Sequence, residues 1–278
     1  MTVNIKNNHD VLSVAGIRAH LKTNGAFHVE VRDKVTSTNT LLREMAAAGA
    51  PEGYVLVAEE QTAGKGRQGR SFHSPAGHGV YFSLLLRPGF PASDAALITP
   101  AAAVAVALAI EEVYGVRVGI KWVNDLLVSG KKVCGILTET VIGAESGLVE
   151  SAVLGIGVNV TMPESGYPED IKAVAAALTD GTGSGDRCRL IAAILDNTAA
   201  ASKTGGGSLF YARPPAWLAE YRARSVVLGQ DIYVISGADR RAAKAIGIDD
   251  VCGLVVQYED GETATLNSGE VSIRAIEN

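Results

Sequence analysis

A β-hairpin pattern in the middle of the chain is the feature that most constrains its fold. Two strand-like runs, at residues 126–128 and 131–139, flank Ser129-Gly130, a dipeptide typical of a tight turn. Strands joined by such a turn are antiparallel, whereas a purely parallel sheet needs a long crossover after every strand. The hairpin therefore argues against a parallel α/β array and predicts a mixed or antiparallel sheet.

Helical and strand-like segments alternate through the first part of the chain, which predicts helices packed against this sheet. One helix is predicted to begin at Ser37-Thr38-Asn39, where side-chain oxygens can cap its first turn, and to end at Gly49. The other predicted helices lie at 11–25, from Pro100 onward and at 187–202, and the other predicted strands at 28–35, 54–59, 80–86, 116–122 and 148–160. Two glycine-rich stretches, 181–186 and 204–208, are predicted loops. The predicted fold class is therefore α+β.

The character of the sequence changes after Arg224. Residues 226–278 contain several short strand-like runs separated by glycine-containing turns, which predicts a small β-barrel. We therefore expect two domains, at residues 1–225 and 226–278.

Composition limits the classes of protein to consider. The formal net charge of −5 argues against a nucleic-acid-binding surface over the whole chain, although it does not exclude local basic patches. The longest apolar run, residues 101–110, is far shorter than the roughly 20 residues of a membrane span, so we predict a buried helix there. Three cysteines without metal-site spacing, and an N-terminus without a secretory signal, predict a cytoplasmic protein with reduced thiols.

The segment Gly64-Lys65-Gly66-Arg67-Gln68-Gly69-Arg70, named here the basic glycine loop, alternates glycines with cations. Glycines let backbone N–H groups approach phosphate oxygens and the cations neutralise charge, so it is a candidate anion site rather than a solvated loop. Its G-x-G-x-x-G spacing also occurs in dinucleotide-binding folds. However, residues 70–77 are a poor helix start, and the acidic residue expected about 20 positions on is missing. A P-loop pattern is absent as well.

Three further clusters place polar or glycine residues within or at the ends of predicted strands. Residues 121–125, Lys-Trp-Val-Asn-Asp, combine a charge, an aromatic face and hydrogen-bonding groups, although a core tryptophan before a turn has the same pattern. Lys132 is expected on the same strand face as Cys134 and Ile136, where it either extends to solvent or meets an anion. Residues 155–159, Gly-Ile-Gly-Val-Asn, indicate close approach by a ligand or another backbone.

In this order, the clusters resemble the motifs of the biotin–protein ligase family. The family pattern runs from S-T-N through a glutamine, G-R-G-R-x-G-R, K-W-P-N-D, a lysine before x-x-G-I-L, and G-I-G-x-N to a small C-terminal barrel. The matching segments here are Ser37-Thr38-Asn39, Gln61, 64–70, 121–125, 132–137, 155–159 and the terminal 268–272. Two residues depart from the pattern. Lys65 keeps an arginine's charge but loses its bidentate fork, and Val123 replaces a proline.

The resemblance implies a fold, substrates and site residues. The fold is the catalytic fold of the biotin and lipoate ligases, similar to class II aminoacyl-tRNA synthetases, followed by a Src-homology-3-like barrel. The substrates are biotin and ATP with Mg²⁺, and the implied catalytic residues are Lys132, Arg67 and Asp125. The residues implied for biotin are Ser37, Thr38, Asn39, Gln61, Gly64, Gly66, Arg67, Arg70, Lys132 and Gly135, and those for ATP are Arg67, Arg70, Trp122, Asn124, Asp125, Lys132 and Asn159. No residue is assigned as a metal ligand.

The implied reaction has two steps. The biotin carboxylate attacks the α-phosphate of ATP and releases pyrophosphate; a lysine of a biotin carboxyl carrier domain then attacks the mixed anhydride, and AMP leaves. Because two anions must meet, charge neutralisation and positioning are expected to dominate catalysis. The nearest alternative is a lipoate or octanoate ligase, whose ligand lacks the ureido ring suited to Ser37, Thr38 and Gln61.

The expected partner is the carrier domain, without DNA or a membrane, and the chain is expected to act as a monomer or homodimer. The short segment before the first motif predicts a monofunctional ligase without the helix-turn-helix of the repressor-type members. A DNA-binding regulator is disfavoured by the acidic balance, and a non-catalytic binding module by the presence of Lys132 and Arg67.

Overall fold

The computed structural model describes residues 10–23, 25–180, 186–203, 216–236, 239–267 and 272–275. The predicted loop 204–208, most of 181–186 and most of the terminal motif 268–272 lie outside these ranges. The described part is α+β, as predicted. A seven-stranded mixed sheet carries helices on both faces, and a five-stranded antiparallel sheet follows it.

The large sheet is mostly antiparallel. Its strands are β1 (His28–Val35), β2 (Tyr54–Gln61), β3 (Gly79–Leu86), β4 (Gly119–Lys121), β5 (Asp125–Val128), β6 (Lys131–Ile142) and β7 (Val149–Asn159). Their spatial order is β1-β2-β3-β7-β6-β5-β4, in which β1 and β2 are parallel and the other neighbours antiparallel. Because β3 is buried along its whole length and β7 along nearly all of it, the centre of the sheet is a rigid base.

The predicted hairpin joins β5 to β6 through Ser129 and Gly130. Both residues have positive φ, at 49° and 77°. The common two-residue hairpin turn requires positive φ at both positions, because its twist then matches the twist of the two strands. The register then shifts, because Leu126 is opposite Cys134 while Leu127 is opposite Lys132. One extra residue on β6 therefore forms a β-bulge, which interrupts the strict alternation of side chains between the two faces.

Strand β4 is shorter than the strand predicted over residues 116–122. Its partner β5 is only four residues long, so the residues before Gly119 have no neighbouring strand to pair with. The predicted inward face is nevertheless correct for Val118, Ile120 and Trp122, which are all buried.

Five helices cover the two faces of the large sheet: α1 (Val14–His20), α2 (Thr38–Ala47), α3 (Ile98–Tyr114), α4 (Arg187–Lys203) and α5 (Leu218–Arg224). Helices α1, α3 and α4 pack together on one face. Helix α2 packs on the other face through Leu42, against Leu56, Leu85 and Val153 of the central strands. Because α2 is short, it leaves part of this face open, and that opening holds the candidate site.

Helix α3 begins two residues earlier than predicted, with Pro100 in its first turn. Proline is tolerated there because first-turn N–H groups have no acceptor within the helix. The segment Ala92–Tyr114 is long and apolar enough to cross a membrane, with a mean hydropathy of 1.8 in its most apolar 18-residue window, but 67% of that window is buried inside the protein. Its packing against α4 and the sheet makes it the central core helix.

The second sheet lies beside the β4 edge of the first. Its strands are β8 (Asp231–Ser236), β9 (Asp239–Ile248), β10 (Leu254–Tyr258), β11 (Thr263–Leu266) and β12 (Ser272–Ala275), in the order β11-β10-β9-β8-β12. The Trp122 Nε1–H donates to the carbonyl of Cys252 at 2.7 Å, and Val226 N–H donates to the Ile120 carbonyl at 3.0 Å. The two sheets therefore share one apolar core.

The three cysteines are free thiols, in agreement with the prediction. Cys134 and Cys252 are buried, and burial raises the pKa of both thiols. Both are therefore small apolar core side chains rather than nucleophiles.

Arg224, the last residue of α5, links its own helix to α3 near the junction of the sheets. Its buried guanidinium contacts Glu111 of α3 at 2.5 Å and Glu220 of α5 at 2.6 Å. We expect Arg224→Met to lower the free energy of unfolding by about 2 kcal/mol, less than for a fully buried pair because both glutamates are partly exposed. Calorimetry should show a fall in Tm of about 5 °C. Arg222→Met, which removes an exposed pair with Asp250, is the control, and an equal fall in both variants would contradict this role.

Candidate active site

A cleft of about 450 Å³, including its open mouth, lies on the sheet face beside α2. Its lining comes from β2, β3, β6, β7, the start of α2 and the basic glycine loop. The lining residues are Ser37, Thr38, Asn39, Gln61, Lys65, Gly66, Arg67, Phe72, Phe82, Asn124, Lys132, Gly135, Ile136, Leu137, Gly155, Ile156 and Gly157. The cleft thus brings together members of all four sequence clusters.

Glycines on adjacent strands make room for the cleft. A Cβ at Gly155 would lie 2.0 Å from the Asn39 Oδ1, and one at Gly157 would lie 2.5 Å from the Phe72 ring. A Cβ at Gly135 would lie 2.9 Å from the Lys132 Nζ. Each glycine therefore allows a functional side chain to lie directly on the sheet.

One end of the cleft is a network of neutral hydrogen-bonding groups. Ser37 caps α2, as predicted, by accepting from the Thr40 N–H at 3.5 Å. The Gln61 Oε1 accepts from the backbone N–H of Thr38 at 2.9 Å and from its hydroxyl at 3.1 Å, while the Gln61 Nε2–H donates to Ser74 at 3.0 Å. These contacts fix donors and acceptors in a buried wall that suits a neutral polar ligand group.

Two residues of the site, Ser83 and Phe72, were missed by sequence reasoning. Buried Ser83 has its hydroxyl 2.8 Å from the Thr38 Oγ1 and 2.6 Å from the Asn39 Oδ1. A single serine among the apolar and aromatic residues of β3 was the available signal. Phe72 lies over Gly157, and its place depends on the fold of a loop, which no sequence pattern indicated.

The other end of the cleft is cationic. Lys132 Nζ lies 2.7 Å from the Asp125 Oδ1, Asn124 Nδ2–H donates to the same carboxylate at 3.1 Å, and Arg67 donates to the Asn124 Oδ1 at 3.1 Å. The four side chains form a connected row. Because each is held by its neighbour, the two cations are oriented before any anion arrives.

The predicted face for Lys132 is wrong. Its ammonium lies over Gly135, on the cleft face, rather than with buried Cys134 and Ile136. The reason is the bulge on β6, which inserts Val133 and shifts the alternation by one residue. The correction places the lysine inside the cleft.

Arg67 is half-buried. Burial lowers the pKa of its guanidinium, and the nearby Asp125 carboxylate opposes that effect. An arginine stays charged near neutral pH even so. Because this charge has lost part of its hydration, the binding of an anion such as a carboxylate or phosphate is favoured there.

The basic glycine loop folds back on itself beside these cations. Gly66 N–H donates to the Arg70 carbonyl at 2.7 Å and Phe72 N–H to the Gly64 carbonyl at 2.8 Å, around one 3₁₀ turn at Arg67–Gly69. Gly64 is buried behind the cleft, and the side chain of Arg70 is exposed outside the lining. Their contacts with ligands therefore stay predictions.

Four residues expected near ATP do not line the cleft: Arg70, Asp125, Trp122 and Asn159, although Asp125 contacts Lys132, which does. Trp122 is buried with its N–H donated to the Cys252 carbonyl, so it has the contacts of a core tryptophan before a turn. Asn159 is buried and donates to the Ala176 carbonyl at 3.1 Å. Among the described residues no group of three His, Cys, Asp or Glu side chains is arranged to hold a metal.

Gly155→Ala tests the geometry of the glycine floor. The new methyl group would displace the Asn39 amide, which is fixed by buried neighbours, so we expect biotin affinity to fall by at least about tenfold. Isothermal titration calorimetry with biotin measures the change. Gly247→Ala, in the second sheet, is the control, because a Cβ there would lie at an ordinary contact distance of 3.8 Å from Val255, away from the cleft. Unchanged biotin affinity in Gly155→Ala would contradict the assigned floor.

Comparisons with known families match both parts of the chain. The biotin/lipoate A/B protein ligase family model matches residues 31–159, a range that includes the whole lining of the cleft. The model of the biotin protein ligase C-terminal domain matches residues 227–274, which contain the second sheet.

Relatives of different lengths match as well. The chain is 43% identical over 186 residues to the bifunctional ligase/repressor BirA of Bacillus subtilis, which is 66% of this chain and 57% of that protein. It is 32% identical over 250 residues to the biotin–[acetyl-CoA-carboxylase] ligase of Mycobacterium tuberculosis, which is 87% of this chain and 88% of that protein. The match thus spans little more than half of the first relative and most of the second.

The fold is also similar to a solved structure, the biotin protein ligase from Aquifex aeolicus in complex with biotin and ATP. The TM-score is 0.72 at 28% identity, over 90% of this chain and 99% of that chain. Taken with the family models and the M. tuberculosis relative, this similarity shows that the chain belongs to the biotin/lipoate A/B protein ligase family and carries a region that matches the C-terminal domain of biotin protein ligases.

Proposed function

We propose that this protein activates biotin with ATP to form biotinyl-5′-AMP and then transfers biotin to a lysine of a biotin carboxyl carrier domain. The observation that carries the proposal is the polarity of the cleft. A wall of neutral donors and acceptors lies at one end, and Lys132 with Arg67 lies at the other. A ligand with a neutral ureido group and a carboxylate at opposite ends matches that arrangement.

The neutral wall supports biotin over a lipoyl or octanoyl group. Thr38, Gln61 and Ser83 place buried oxygen and nitrogen atoms in one hydrogen-bonded set. A ligand with polar atoms at that end can share hydrogen bonds with this set, whereas an apolar ligand forgoes them, and each such hydrogen bond is worth about 0.5–1.5 kcal/mol. We therefore expect lipoate and octanoate to bind much more weakly than biotin.

The cationic row supports adenylate formation. The biotin carboxylate must approach the α-phosphate of ATP, and their repulsion is the main barrier that fixed positive charge can lower. Lys132 is our candidate for neutralising the carboxylate, and Arg67 for holding the phosphate. A carboxylate oxygen of biotin bonds to the α-phosphorus and forms the mixed anhydride. The bond between the α-phosphorus and the oxygen that bridges to the β-phosphorus breaks, and pyrophosphate leaves.

We expect Mg²⁺ to bind together with the triphosphate of ATP rather than at a site made of protein ligands alone. Such sites commonly use one or two carboxylates together with the phosphates of the nucleotide. The oxygens of Asp125 and Asn124 at the cationic end fit that donor set and would hold the ion, which supplies charge neutralisation on the phosphates. The Asp125 carboxylate also contacts Lys132, and the Asn124 oxygen accepts from Arg67, so the ion would compete with these two side chains.

Transfer consumes the anhydride. The ε-amine of the acceptor lysine attacks the acyl carbon, AMP leaves with the electron pair of the C–O bond, and the amine loses a proton. Asp125, which lies at the cationic end, is our candidate for the group that accepts this proton. We expect the reaction to take place in the cytoplasm, with the enzyme as a monomer or homodimer.

A transfer assay tests the whole proposal. The purified chain, biotin, Mg²⁺ and ATP are incubated with a biotin carboxyl carrier domain, and mass spectrometry locates the modification. We expect one biotin on one lysine. Labelling by lipoate at an equal rate would contradict the substrate assignment, and failure to label the carrier at all would contradict the transfer step.

A further inference from the structure

Glu139 connects three parts of the site, although it is not itself among the residues that line the cleft. It lies on β6 two residues beyond Leu137 and four beyond Gly135, on the face that forms the cleft floor. Its side chain is 23% exposed, so its charge is only partly screened by water. One oxygen contacts α2, and the other contacts both α2 and the basic glycine loop.

The first oxygen fixes the amide of Asn39. The Asn39 Nδ2–H donates to the Glu139 Oε2 at 2.9 Å, and the Asn39 Oδ1 lies 2.6 Å from the Ser83 hydroxyl. An ionised carboxylate can only accept, so the NH₂ group of the amide must face Glu139. Asn39 is 4% exposed and lies against Gly155, and its Nδ2–H also donates to the Leu137 carbonyl at 3.4 Å, so its hydrogen-bond partners set which way the amide faces. The acceptor side of the amide is therefore held toward Ser83 and the cleft.

The second oxygen connects the floor to the loop. The Glu139 Oε1 lies 3.8 Å from the Lys65 Nζ and 3.3 Å from an Arg43 nitrogen. Lys65 lines the cleft from the basic glycine loop, whereas Arg43 lies on helix α2, which is fixed by its own packing. The contact with Lys65 is therefore the one that links a loop to the sheet.

We propose that Glu139 is a positioning residue that orients Asn39 for the neutral end of the ligand and tethers the basic glycine loop over the cleft through Lys65. This inference rests on the proposed function in naming biotin as that ligand and its adenylate as the species that the loop retains. At 3.8 Å a lysine makes a loose, single contact, whereas an arginine offers a planar fork to a carboxylate. The lysine at this position therefore makes the tether weaker than an arginine would.

The test compares four variants of the full chain by biotin titration calorimetry and by the rate of adenylate release after rapid mixing. We expect Glu139→Gln to raise the biotin Kd about fivefold, because a glutamine can present either its oxygen or its NH₂ group to Asn39 and so no longer imposes one orientation on that amide. Lys65→Met should speed adenylate release about threefold, and Lys65→Arg should slow it. Arg43→Met removes a cation from the same carboxylate without touching the loop, so its release rate should equal that of the parent.

A double variant separates a tether from two independent effects. In a Glu139→Gln background, Lys65→Met should cause no further increase in the release rate, because its partner is already gone. Fully additive effects, or a Glu139→Gln variant with the parent's biotin Kd and release rate, would overturn the inference. A parent chain that binds biotin but forms no adenylate contradicts the proposed function, yet the biotin Kd still tests the role of Glu139. A parent that does not bind biotin overturns both.

Discussion

Replacing Lys132 with alanine is expected to reduce biotin adenylate formation by about ten- to hundredfold or more while leaving the fold intact. The ammonium lies over the glycine floor, 2.7 Å from Asp125, at the end of the cleft where the two anions are proposed to meet. A charge-assisted contact of this kind is worth roughly 1.5–3 kcal/mol, which corresponds to that loss in rate. Single-turnover formation of the adenylate measures it directly.

Lys131 provides the matched control, because it carries the same charge one residue earlier and is exposed. Lys131→Ala should retain the parent's rate, and both variants should keep the parent's circular dichroism and melting temperature. Activity in Lys132→Ala within about twofold of the parent, a difference of less than 0.5 kcal/mol, would show that this lysine only extends to solvent.

Replacing Arg67 with glycine is expected to weaken retention of the intermediate more than its formation. Three glycines and three cations make the basic glycine loop costly to order in the absence of an anion, so we expect it to close over the adenylate. Arg67 is held at 3.1 Å from Asn124 and is the half-buried cation of the loop. Without it, the adenylate should dissociate about tenfold faster or more, since one charge-assisted contact is lost.

The measurement is adenylate dissociation after rapid mixing, together with biotinylation of an unrelated protein. A leaking intermediate should label bystander lysines, because the anhydride reacts with free amines once it leaves the cleft. Arg67→Gln serves as a second variant, because it removes the charge without adding backbone freedom at this position. Retention equal to the parent's in both variants, with no bystander labelling, would mean that Arg67 does not hold the intermediate.

The sequence predicted the polarity of the site better than its geometry. In a regular strand, alternate residues lie on the same face, so a face can be assigned without coordinates. This rule places Glu139 on the face of Gly135, although Glu139 was not among the residues singled out from the sequence. The bulge at Val133 has no comparable signal, because it depends on how the short β5 pairs with β6. For this reason the predicted face of Lys132 was wrong, although the residue does line the cleft.

Long-range packing accounts for the other differences. Trp122 has the composition of a ligand contact, but the second sheet supplies the Cys252 carbonyl that binds its N–H. Phe72 enters the cleft only because the basic glycine loop folds back through its own backbone hydrogen bonds. Neither partner is close enough in sequence to be inferred from local patterns. The fold class, in contrast, followed from one local turn, Ser129-Gly130, because a tight turn fixes the direction of both strands.

The central claim is that the two ends of one cleft bind biotin and bring its carboxylate to ATP. Biotin-dependent exchange of labelled pyrophosphate into ATP by the purified chain tests this claim most directly, because it requires reversible adenylate formation and no carrier domain. We predict exchange with biotin, Mg²⁺ and ATP together, and background exchange when biotin is omitted or replaced by lipoate or octanoate. Exchange that is independent of biotin, equal exchange with lipoate, or no exchange by a folded protein that binds biotin would contradict the account.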